Sequence, residues 1–162
     1  MLPPDLVTRA ARVVELFIQK NETLALAESC TGGLIAACIT SIAGSSAVLE
    51  RSFVTYSNFS KTEEVLVPAE LIAQHGAVSA EVVSAMAQGV RKVAKVSVGL
   101  SVTGIAGPGG GSDEKPVGLV FLAMATADNV DIRRFQFAGN RDEVRRQAVV
   151  KALSMLVAVG NE

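Results

Sequence analysis

Thr23-Leu24-Ala25-Leu26-Ala27, then Glu28-Ser29-Cys30-Thr31-Gly32-Gly33, then Leu34-Ile35-Ala36-Ala37-Cys38-Ile39 is the stretch whose reading decides the fold. The first five residues read as a buried strand and the last six as an apolar helix. Two hydroxyls, a thiol and two glycines therefore fall where the carboxyl end of a strand turns into a helix. In α/β sheets, ligands gather outside the carboxyl ends of strands. The first turn of a helix offers free backbone N–H groups and the positive end of a dipole. Glycine lets the backbone approach a substrate and take dihedrals that other residues avoid.

Working outward, Pro3-Pro4-Asp5 opens a helix. Leu6, Val7, Ala10, Val13, Val14, Phe17 and Ile18 recur at three and four to give it one apolar face, and Asn21 stops it. After Ala43-Gly44-Ser45-Ser46, Val48 to Ser57 reads as a second strand with the only tyrosine, Tyr56, near its end. Short helices are predicted after Ser57 and from Pro68 to His75-Gly76, where the glycine is a C-cap. Ser79 is an N-cap with Glu81 in the first turn, and that helix runs to about Ala94. Val96 to Thr103 is a strand. Val117 to Thr126 and Val130 to Phe137 form an antiparallel pair joined at Asp128-Asn129. Asn140 and Glu143 make a capping pair before a last helix to about Val159. The order αβα-β-ααα-β-ββ-α fits a mixed sheet with helices on both faces, in one domain spanning 1–162.

Composition narrows the function classes. The chain is 49% apolar and 19% charged, which is the balance of a packed globule and not of a disordered segment. A net charge of −1 gives no global pull toward nucleic acid or membrane, and the lack of Trp argues against base-stacking platforms. No apolar run reaches membrane-spanning length and no signal-peptide layout opens the chain, so a cytoplasmic protein is expected. Cys30 and Cys38 are too few for a disulfide framework, and their spacing matches no zinc pattern. With a single histidine and no Cys-His cluster, no transition-metal site is expected. A homodimer or higher homo-oligomer is expected from the apolar-rich composition.

Four groups of residues carry chemistry, each with a plainer reading beside it. Ser29 and Thr31 are either helix caps or a nucleophile and its neighbour. Cys30 is a rival nucleophile, since a helix N-terminus lowers a thiol pKa, but its position points it inward. A serine nucleophile needs a base. His75, before a glycine at a helix end, is placed to cap carbonyls instead. Lys61 is either a solvated lysine or a base whose pKa is lowered by burial, with Tyr56 to relay or orient a proton. The loop Thr103 to Pro116 is neither a Walker A loop nor a dinucleotide fingerprint, yet it can form an N–H nest for an anion or a carbonyl oxygen. Of Arg133, Arg134, Arg141, Arg145 and Arg146, Arg141 and Arg145 share a helix face, which suits a phosphate or simply water.

Taken together, these residues resemble the CinA C-terminal domain family, whose characterised members are nicotinamide-nucleotide amidases of the PncC type. The blocks that carry the likeness span nearly the whole chain: Ala27-Glu28-Ser29-Cys30-Thr31-Gly32-Gly33, Val54-Thr55-Tyr56-Ser57-Asn58 with Lys61, Gly76-Ala77-Val78-Ser79, Val102-Thr103-Gly104-Ile105-Ala106-Gly107-Pro108-Gly109-Gly110, Lys115-Pro116-Val117-Gly118, and Asn140-Arg141-Asp142-Glu143-Val144-Arg145. The resemblance implies a three-layer α/β/α sandwich. It implies Ser29 as nucleophile and Lys61 as base, with Tyr56 beside it. Thr31, Gly32 and Gly33 would supply oxyanion amides. Thr103, Gly104 and Gly107 would line the pocket, and Arg145 with Arg141 would hold a substrate phosphate. The implied reaction converts nicotinamide mononucleotide to nicotinic acid mononucleotide and ammonia, with no metal or cofactor. The large N-terminal domain that many relatives carry is absent, so a stand-alone domain is expected. Ser52 and Leu66 stand where relatives often have glycine. The competing reading is a silent nucleotide-binding or partner-binding module linked to competence or DNA damage.

Overall fold

The computed structural model describes residues 1–162. Five strands form one sheet in the order β2-β1-β3-β4-β5: β1 (Leu24–Glu28), β2 (Leu49–Val54), β3 (Val98–Gly104), β4 (Leu119–Ala125) and β5 (Val130–Gln136). β1 pairs parallel with both β2 and β3, whereas β3–β4 and β4–β5 are antiparallel. The sheet is therefore mixed, and β1 to β4 are mostly buried except for β2 at the edge.

Alternation along β1 explains the layers. Leu24 and Leu26 face α1 (Pro4–Lys20), α2 (Leu34–Thr40) and α6 (Arg141–Gly160), in one apolar cluster with Phe17, Ile39, Leu100, Leu122 and Leu153. Ala25 and Ala27 face the other way, onto α5 (Ala80–Ala94) and residues flanking α3 (Asn58–Val65) and α4 (Ala69–His75). The chain is a three-layer α/β/α sandwich. Small residues line the α5 face because that helix lies close to the sheet. A Cβ at Gly99 would run into the Ala87 carbonyl, and the Ser101 hydroxyl donates to the Val83 carbonyl at 2.6 Å.

The expected elements are present, with shifted ends. β1 begins one residue later and takes in Glu28. β2 ends at Val54, so Tyr56 lies beyond it. A single 3₁₀ turn at Ser45–Ala47 falls in the turn read after the Ser29 helix. The expected capping box of Asn140 with Glu143 forms, and the structure adds a second, Ser57 with Ser60. Leu66 occupies the left-handed region at φ 62°, as C-cap of α3, which is why a glycine suits that place.

α3 matters because it carries Lys61, and its seat on α5 is set by Gly89. A Cβ at Gly89 would collide with the Val65 carbonyl, so backbone must move to admit any side chain. Gly89→Ala is expected to cost about 3 kcal/mol, the upper part of the overpacking range, in urea unfolding. A loss below roughly 1 kcal/mol would show that α3 is free to shift.

Candidate active site

β1, β2 and β3 run parallel with carboxyl ends together. The chain leaves β1 for β2 on one side and returns to β3 on the other, so the crevice outside these ends is a topological switch point. A cavity of about 300 Å³ opens there. Its wall includes Ser29 and Cys30 after β1, Tyr56, Asn58 and Lys61 after β2, and Thr103 to Gly107 at the end of β3. Ala77 and Val78 before α5, Gly109 and Gly110 in the glycine-rich loop, and Arg141 at the start of α6 complete the lining. The sequence does not single out Asn58, Ala77 and Val78 as site residues: the two apolar side chains carry no chemical signal, and Asn58 reads as an ordinary first residue of a helix.

Ser29 is held at the backbone by its N–H, which donates to the Val102 carbonyl at 3.1 Å. Its side chain is 8% exposed. Lys61 is 1% exposed, because the Ser57–Ser60 capping box fixes where α3 starts and turns its fourth residue inward. The Lys61 Nζ lies 3.2 Å from the Ser29 Oγ, 2.8 Å from the Thr55 carbonyl oxygen and 3.5 Å from the Ser57 carbonyl oxygen. None of the ion pairs involves it. A buried amine without a carboxylate loses hydration and gains no counter-charge, and burial holds the Lys61 pKa below the ordinary lysine value of 10.5. The Cys30 thiol goes the other way. Burial pushes it up to about 12, so it stays protonated near neutrality and is a poor nucleophile.

Neither Ser29 nor Thr31 caps α2. Its N-cap is Gly33, at φ 97°, with no side-chain cap bond. The capping acceptor is Glu28, which is fully buried at the end of β1. Its carboxylate accepts from the Thr31 hydroxyl at 2.6 Å and from the amides of Gly33 (3.1 Å), Ile35 (3.1 Å) and Ala36 (2.9 Å). The Gly32 amide donates to the Ser29 carbonyl at 3.0 Å. The amides of Gly32 and Gly33, expected to face an oxyanion, are thus committed elsewhere, and neither glycine nor Thr31 lines the cavity. The amides of Cys30 and Thr31 donate to no main-chain or side-chain oxygen, and of the two residues only Cys30 lines the cavity. The sequence signal for Glu28 was one acid ending an otherwise apolar strand.

The two arginines separate. Arg141 lines the cavity, donating to the Gly107 carbonyl at 2.7 Å and to the Tyr56 hydroxyl at 2.9 Å. Arg145, one turn on, is turned away from the cavity, donating to the Cys30 carbonyl at 3.1 Å and to the Thr31 carbonyl at 3.2 Å. Tyr56 is exposed and its hydroxyl meets Arg141, with no hydrogen bond to Ser29 or Lys61. The Thr103 hydroxyl donates to the Ala77 carbonyl at 2.9 Å, tying two walls together. Gly104 is needed because a Cβ would press on the Leu119 carbonyl at 2.9 Å. The far end of the glycine-rich loop is held by the Lys115 Nζ, which donates to the His75 carbonyl at 2.6 Å. The His75 ring faces Glu81 at 3.6 Å, outside the cavity.

The sequence matches the family model of the CinA C-terminal domain over residues 7–159. It is 55% identical to a CinA-like protein of Citrifermentans bemidjiense, over 90% of this chain and 35% of that protein. The chain spans about a third of the length of the first curated relatives it matches. It is 50% identical to the nicotinamide-nucleotide amidohydrolase PncC of Escherichia coli K12, over 96% of this chain and 95% of that protein. Among solved structures, the competence/damage inducible protein CihA from Agrobacterium tumefaciens superposes with a TM-score of 0.96 at 43% identity. The likeness covers 100% of this chain and 99% of that one.

Proposed function

Because the chain belongs to the CinA C-terminal domain family, we propose that it hydrolyses the carboxamide of nicotinamide mononucleotide, giving nicotinic acid mononucleotide and ammonia. The PncC relative aligned over almost its whole length bears the name of that activity. The observation that carries the mechanism is the 3.2 Å approach of a buried, unpaired lysine amine to a serine hydroxyl on a cavity wall.

In its neutral form Lys61 has two N–H bonds and one lone pair. The Thr55 and Ser57 carbonyls are placed to accept the two N–H groups, which leaves the lone pair for the Ser29 hydroxyl. Lys61 takes the Ser29 proton as Oγ bonds to the carboxamide carbon. The negative charge moves to the carbonyl oxygen, toward the amide of Cys30, which borders the cavity and donates to no protein oxygen. Collapse breaks the C–N bond, Lys61 returns the proton to the departing nitrogen, and ammonia leaves an acyl ester on Ser29. Water, deprotonated by the same amine, then attacks the ester carbon; the bond from that carbon to the Ser29 Oγ breaks, Lys61 returns the proton to Oγ, and the acid leaves. Tyr56 forms a wall of the cavity and, through Arg141, orders its mouth.

Arg141 is the group for the remote phosphate. Two of its N–H bonds are used within the protein, and the rest of the guanidinium is exposed beside the cavity. Arg141→Ala is expected to raise KM for nicotinamide mononucleotide about 10-fold, the loss of one charge-assisted contact, with nicotinamide riboside unaffected. The overall test is ammonia release from carboxamides with and without a phosphate. Ammonia from none of them, with a melting point still raised by the mononucleotide, would favour a silent binding module.

A further inference from the structure

The loop that presents Ser29 is held from two sides by groups of opposite charge, neither of which reaches the cavity. On the amide side stands the Glu28 carboxylate, fully buried, with four donors. Two of them, the Thr31 hydroxyl and the Gly33 amide, belong to the loop. On the carbonyl side stands Arg145, from the second turn of α6, which binds the carbonyls of Cys30 and Thr31. The guanidinium also lies over Gly32, where a Cβ would sit 3.5 Å from a terminal nitrogen. Gly32 itself is at φ 60°, so the loop backbone is bent into a form that needs support. Each charge is satisfied mainly by backbone, and the two face each other through the peptide groups of residues 30 to 33.

We propose that Glu28 and Arg145 form a clamp of positioning residues for Ser29, and that Arg145 acts through the loop backbone, not as a ligand of the substrate phosphate. This rests on the amide-hydrolase reading of the site. The clamp fixes where the Ser29 Oγ stands relative to the Lys61 amine and which way the Cys30 amide points. A displacement of about 1 Å at such a place is enough to cost roughly 100-fold in rate. α6 is thereby coupled to the reacting hydroxyl through one side chain, 116 residues from Ser29 in sequence.

The test compares Arg145→Met, Arg145→Lys and Glu28→Gln with the native chain on nicotinamide mononucleotide and on nicotinamide riboside. Arg145→Met is expected to lower kcat about 100-fold on both substrates, with KM within about threefold and the preference between them unchanged. Arg145→Lys keeps the charge but not the fork and is expected to recover only part of the rate. Glu28→Gln, which sets an amide NH₂ against backbone N–H groups, is expected to lower kcat in the same way. A rise in KM for the mononucleotide alone on losing Arg145 would make it a phosphate ligand and overturn the clamp. Should Glu28→Gln fail to fold, the Arg145 variants decide the matter. Sulfonylation of Ser29 by phenylmethanesulfonyl fluoride, followed by mass spectrometry, needs no natural substrate. Slower labelling of Arg145→Met by about 10-fold or more supports the clamp even if neither nucleoside amide is turned over, in which case only the substrate assignment falls. Equal labelling rates, or no labelling of the native chain, would overturn it.

Discussion

Ser29→Ala is expected to abolish ammonia release, a fall of about 10⁴-fold or more, while the fold and mononucleotide binding survive. The Oγ is the group placed to bond to the carboxamide carbon, and the neighbouring thiol cannot replace it while its pKa stands at about 12. Removing the hydroxyl leaves the Lys61 Nζ with the Thr55 and Ser57 carbonyls, so the wall of the cavity keeps its shape. A melting point near that of the native chain and a preserved thermal shift with nicotinamide mononucleotide would separate loss of chemistry from loss of structure. Turnover unchanged in this variant would remove Ser29 from the mechanism.

Lys61→Met is expected to lower kcat by about 10³-fold, the scale of a lost general base, and to change the alkaline limb of two pH profiles. In the native chain, kcat/KM rises with pH as the amine loses its proton and levels off at a pKa below 10.5, because burial disfavours the ammonium. Stability follows the same group. In the unfolded chain the amine stays protonated to higher pH, so between the folded and unfolded pKa the unfolded state binds more protons and stability rises with pH. Below the folded pKa the cost of burying the ammonium is present in full. Above the unfolded pKa it has gone. Methionine fills most of the lysine stem's volume and removes this titration, at the cost of leaving the Thr55 carbonyl without its 2.8 Å partner. Urea unfolding at several pH values reads the effect directly. An alkaline rise in stability that persists in Lys61→Met would assign the titration to another group.

Most of the element order was open to reading because it depends on local signals. Apolar spacing marked the faces of α1 and α5. Ser79 and Asn140 announced helix starts by their capping chemistry, and the two last strands declared their pairing through a short polar turn. The site was partly legible for a similar reason: hydroxyls and glycines at a strand-to-helix turn mark a place where a ligand can meet backbone. Lys61 was not readable as buried from its own neighbourhood. Asn58, Phe59 and Ser60 before it and Thr62 and Glu63 after it look like a solvated helix, and the amine is turned inward by the Ser57–Ser60 capping box that fixes the start of α3 together with the seat of α3 on α5 at Gly89. Nor could spacing distinguish Arg141 from Arg145. Four residues apart, they share a stripe of α6, yet the turn of the helix sets the first beside the Gly107 carbonyl and the second beneath the Ser29 loop.

By itself the amino-acid sequence determined the α/β class, the order of elements and the strand-to-helix turn that presents Ser29, because periodicity, capping and turn chemistry act over a few residues. Tertiary structure alone decided that the Lys61 amine is buried with no carboxylate partner, that Glu28 and not a hydroxyl caps α2, and which arginine faces the cavity. Those outcomes depend on groups brought together from distant parts of the chain, where burial and the pairing of buried polar atoms, not local propensity, select the geometry.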